Sequence, residues 1–64
     1  MIPELKEVYN EFMKLHGYIN IQGIEIHILE EFIQRDYIKN ESLENKVDLM
    51  RDFILANDLT EVQE

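Results

Sequence analysis

Apolar residues recur along the chain in three amphipathic segments. In the first, from Pro3 to His16, Leu5, Val8, Tyr9, Phe12 and His16 follow three-and-four spacing and form one stripe, flanked by Met13 and Leu15. Pro3 suits the first helical position, where its missing N–H costs nothing. Glu4 and Glu7 lie near the positive end of the helix dipole, and Lys14 and His16 near the negative end. Gly17 is placed as a left-handed residue closing the helix, with Tyr18 free to fold back on Met13.

The second segment, Tyr18 to Tyr37, supports two readings. Ile19-Asn20-Ile21 and Ile24-Glu25-Ile26-His27-Ile28 alternate around Gln22-Gly23, as in a β-hairpin with a two-residue turn. The helical reading takes Asn20 as N-cap, with Ile19 and Ile24 as a hydrophobic staple. Ile21, Ile24, Ile28 and Phe32 then share a face, widened by Leu29 and Ile33. Gln is a poor first residue for a type I′ turn, which favours the helix. The run Leu29 to Arg35 also continues the helical pattern without a break, and Glu31 and Arg35 make a favourable i,i+4 pair.

In the third segment Asn40 or Ser42 supplies the cap. Leu43, Val47, Met50 and Ile54 recur at spacings of four, three and four, with Phe53 beside them. The pattern ends near Asn57-Asp58. These segments predict one all-α domain over 1–58, a small three-helix bundle or a helical hairpin with an appended third helix. The helices are expected at 3–16, 20–36 and 42–57, with a frayed tail at 59–64. The alternative is an α+β fold with a short hairpin at 19–28. The expected core is Leu5, Val8, Tyr9, Phe12, Ile24, Ile28, Phe32, Leu43, Val47, Met50 and Ile54.

Composition narrows the chemistry. A chain of 64 residues has room for one domain, and with no cysteine it has neither disulfides nor thiolate metal ligands. Stability must come from tight helix packing or self-association. No apolar run approaches the roughly 20 residues that a bilayer span needs. The start, Met-Ile-Pro-Glu-Leu-Lys-Glu, lacks the basic and apolar regions of a signal peptide. A soluble cytoplasmic protein is the expectation. Fourteen acids against six bases give a net charge of −8. Such a surface repels phosphate, so direct nucleic-acid binding is not expected, and it attracts basic proteins.

No residue set suggests catalysis. Ser42 is the only serine and reads as a cap, Thr60 lies in the tail, and Gly17 and Gly23 fit no phosphate-binding spacing. The expectation is a non-enzymatic protein without cofactor. His27 stands at i,i+3 and i,i+4 from Glu30 and Glu31, with Glu25 close by, but this single reversed copy of a helical metal motif reads as a solvated histidine among carboxylates. His16 is expected at the edge of the core.

Glu41, Glu44, Asp48 and Asp52 fall on one side of the third segment, opposite its apolar seam, and span about 16 Å along a helix. Asp48 and Asp52 are an i,i+4 like-charge pair, which costs a few tenths of a kcal/mol. Only Arg51 offers local compensation. Glu4, Glu7 and Glu11 form a second row. These rows are either a solvated face or a docking surface for a basic partner. Ile26, Ile33, Leu49, Phe53 and Leu55 exceed what one small core is expected to hold, so either the core is unusually wide or they form a contact surface. Leu49, Phe53 and Leu55 are the expected apolar contact, first of all in a symmetric homodimer. The function expected is a small regulator that binds and modulates another protein. A structural subunit of a homo-oligomer is one alternative. The other is a DNA mimic that occupies the site of a nucleic-acid-binding protein.

Overall fold

The computed structural model of the chain describes residues 1–18 and 21–59. It is all-α, with four helices and no strand among the described residues. Helix α1 is Pro3–His16, α2 is Ile26–Ile33, α3 is Asp36–Lys39 and α4 is Leu43–Ala56. Helices α1, α2 and α4 pack pairwise around one core, and α3 joins α2 to α4. No helix is long and apolar enough to cross a membrane among the described residues.

The first and last helices match the sequence pattern closely. Pro3 opens α1, and Leu5, Val8 and Phe12 are buried along its inner side. Gly17 ends it with its N–H donated to the Met13 carbonyl at 3.0 Å. Its φ of +87° is positive as expected, but ψ is 147°, so the chain leaves extended rather than left-handed helical. Tyr18 stays half exposed. Ser42 caps α4, accepting the Asn45 N–H at 3.2 Å. Val47, Met50 and Ile54 are buried below it, while Leu43, at the first turn, is 37% exposed and lies outside the core.

The middle of the chain departs from the expectation. Ile21–Gly23 is a turn, and the Tyr18 carbonyl accepts the N–H groups of both Ile21 and Gln22 at 2.9 Å. Gly23 has φ +87°, which a continuous right-handed helix cannot contain. Helix α2 therefore starts at Ile26, not at 20, and the second strand of the alternative hairpin, 24–28, does not form: Ile24 and Glu25 lead into the helix and its last three residues open it. The proposed Asn20 cap and the Ile19 arm of the staple lie outside the described residues. The turn lets Ile21 and Ile24 both enter the core ahead of the helix. It also rotates α2, so that Leu29, Phe32 and Ile33 face inward and Ile28 is only partly buried.

A second break follows. Arg35 is extended (ψ 145°) and opens α3. At about 100° per residue, one straight helix would carry Ile38 to the side opposite Leu29 and Ile33. The break brings Ile38 into the core, where it is fully buried. The Arg35 guanidinium lies 5.3 Å from the Phe32 ring centroid and 5.2 Å from that of Phe53, and these rings stack at 4.5 Å. It covers the α2–α4 junction instead of pairing with Glu31.

At the other end of α4 the chain does not fray at once. Asp58 adopts φ +54°, and its N–H bonds to the Leu55 carbonyl at 3.3 Å. The Leu59 N–H reaches back to the Ile54 carbonyl at 3.1 Å, and the Leu59 side chain packs against the core. This is a Schellman closure with aspartate in the position glycine favours. Leu59 therefore belongs to the folded unit. The rest of the expected tail, 60–64, lies outside the described residues.

Candidate interaction surface

The Ser42 cap and the buried Val47, Met50 and Ile54 fix the rotation of α4, and thereby decide what it shows to solvent. Glu44, Asp48, Arg51 and Asp52 are all exposed on its outer side. Among the described residues, none of the four takes part in an ion pair. Some carboxylates elsewhere are engaged, while Glu4 and Glu7 of the α1 row, and Glu31, are exposed and, among the described residues, likewise in no ion pair. Glu11 lies 3.5 Å from Lys14, and Asp36 lies 3.4 Å from Lys39. Glu30 accepts the Ile2 N–H at 3.0 Å, with the Met1 amino group 3.9 Å away.

Glu41 does not share the α4 face. It precedes the Ser42 cap, and its Oε1 accepts from the Asn45 side-chain amide at 3.0 Å. The continuous helical row of Glu41, Glu44, Asp48 and Asp52 is thus shortened to its last three members, because the cap sets where helical geometry begins.

The expected apolar patch is also divided. Leu49 and Phe53 pack against the core, Phe53 through its stack on Phe32. Ile33 is buried and Ile26 partly buried, so most of the apolar surplus is absorbed by this one chain. Leu55 is different, at 56% exposure. With about 3.6 residues per turn it falls in line with Glu44 and Asp48, one turn beyond Arg51 and Asp52. The outer side of α4 is therefore a file of three carboxylates and one guanidinium that ends on an exposed leucine.

No known protein family, curated protein or solved structure matches this chain. His27 is exposed, with Nδ1 3.3 Å from Glu25 Oε1, and Glu30 is turned away toward the N-terminus. Among the described residues no group of three histidine, cysteine or carboxylate side chains is gathered to hold a metal. His16 stands edge-on to Phe12 with ring centroids 5.1 Å apart. Burial pushes the Tyr9 phenol above its ordinary pKa of 10.0, and the nearby Tyr18 phenol adds to the shift.

Proposed function

We propose that this protein is a small non-enzymatic regulator that acts by binding another protein, and that the outer side of α4 is its docking surface. The observation that carries the reading is the file of exposed, unpaired Glu44, Asp48 and Asp52. Asp48 and Asp52 repel one another at a cost of about 0.2–0.5 kcal/mol, so that pair does not serve the fold, whereas Glu44, in the first turn of α4, is favoured by the helix dipole. The file does serve encounter with a basic surface, because exposed charge steers association and selects partners. The partner is a protein with a basic face, which includes nucleic-acid-binding proteins.

Affinity capture from lysate tests this, with the immobilised wild type beside a variant carrying Glu44→Gln, Asp48→Asn and Asp52→Asn. The expected result is a distinct basic protein in stoichiometric amount, released by moderate salt and lost from the variant. Recovery of mainly the chain itself would favour the homo-oligomer instead. An unchanged partner set on the variant would reject the α4 surface.

A further inference from the structure

We infer that the break between α2 and α3 is a one-bond hinge latched by Arg35, and that the chain exchanges with a minor open form in which 26–39 runs as a single helix. Nothing local imposes the break. Residues 26–39 contain neither glycine nor proline. Gln34 keeps a right-handed backbone, with φ −91° and ψ −2°. Arg35 occupies the N-cap of α3 without a side-chain cap hydrogen bond, and arginine is not a capping residue type. Its φ of −63° is already that of an α-helix, so only ψ, at 145° against about −42°, departs from helical geometry. Helix α3 has four residues, too few to hold itself without tertiary support. Two sets of contacts supply that support. Ile38 is fully buried, and the Arg35 guanidinium lies on the Phe32 and Phe53 rings while Nη1 donates to the Tyr37 hydroxyl at 3.2 Å. Against them stands a local preference. Glu31 is exposed and, among the described residues, in no ion pair. One continuous helix would set Arg35 one turn from Glu31, in the favourable acid-first order, and would carry helical bonding through the break. Opening withdraws Ile38 from the core and frees the Phe53 ring, so the hinge gates apolar surface that the closed chain hides.

Relaxation-dispersion and saturation-transfer NMR on the full chain test this, followed at backbone Cα and isoleucine methyl carbons. Exchange is expected at 34–39 and at the Ile38 methyl groups, and not along α1. The minor-state Cα shift of Arg35 should be helical. Asp36→Pro should lock the closed form and abolish the exchange. Proline suits the first position of α3, asks of Arg35 the extended backbone it already has, and cannot stand inside a continuous helix. It gives up the exposed Asp36–Lys39 pair. Glu31→Gln removes the pair of the open form and should lower its population about twofold. Tyr37→Phe removes the acceptor that Arg35 uses and should raise it about twofold. Both of these positions are exposed, so both variants keep the fold. The inference fails if no minor state is found at 34–39, if its Arg35 shift is that of an extended or unfolded chain, or if Asp36→Pro leaves the exchange in place. It also fails if Glu31→Gln raises the open population or Tyr37→Phe lowers it. An unchanged population in both surface variants would overturn Arg35 as the latch.

Discussion

Two single residues carry local free energy that simple experiments can read. Asp58 holds φ +54° to close α4, a conformation that costs a side chain more than it costs glycine. Asp58→Gly keeps the Leu59 to Ile54 hydrogen bond and removes that cost. Its urea midpoint should rise by the equivalent of about 0.5–1 kcal/mol, and a drop would show that the aspartate side chain supports the closure. Tyr9 gives a pH signature. Its folded-state pKa is raised, chiefly by burial and further by Tyr18, so the folded chain keeps the phenolic proton above pH 10.0 where the unfolded chain releases it. The unfolded state then binds fewer protons, and stability falls as pH rises through that window. Urea midpoints at about pH 9 and about pH 11 should fall further in the wild type than in Tyr9→Phe. Equal falls would contradict the burial of Tyr9.

The elements separate what local pattern encodes from what tertiary packing decides. Helices α1 and α4 are legible because Pro3, Gly17 and Ser42 punctuate them and their apolar stripes keep one period throughout. Between them the pattern misleads. A continuous stripe through Ile21, Ile24, Ile28 and Phe32 is locally consistent, yet the chain breaks twice, at Gly23 and at Arg35. Both breaks exist to bury residues that one straight helix would carry outward, and a helical period cannot announce its own interruption. Ile38 is the clearest case. It is invisible to the stripe, fully buried in the fold, and reached only because Arg35 is extended and folded over Phe32 and Phe53. Ile38→Ala should therefore cost about 2–4 kcal/mol, and Ile28→Ala, at a partly buried site, less than half of that. The opposite order would restore the straight helix. The exposed acidic file proposed as a docking surface is legible to the same degree as the helix that carries it. Glu44, Asp48 and Asp52 follow from the period of α4, whereas Glu41 falls outside because the cap starts the helix after it. Leu55 is exposed as its place in the expected apolar contact requires, whereas Leu49 and Phe53 turn toward the core, which the period of α4 alone does not show.

At the scale of the whole molecule, the chain solves its size problem internally. Among the described residues, twelve apolar side chains form one buried cluster and seven more pack around its edge, so the apolar surplus that suggested a homodimer is largely packed within the chain. The surface carries a net charge of −8 together with scattered exposed apolar residues, Leu15, Tyr37 and Leu55 among them, and Leu55 stands beside the carboxylates of α4. On the function proposed above, the core supplies stability and the outer side of α4 supplies recognition. The measurement that bears on this most directly is the salt dependence of affinity between the chain and its captured partner. It compares the wild type with Glu44→Gln, Asp48→Asn and Asp52→Asn combined. Association steered by those carboxylates weakens steeply as salt screens them, over a Debye length that shrinks to about 8 Å at physiological ionic strength. A steep loss of affinity with salt is expected in the wild type and a flattened dependence in the variant, with the fold of the variant retained. The same slope in both proteins would contradict it and move recognition to another face of the molecule.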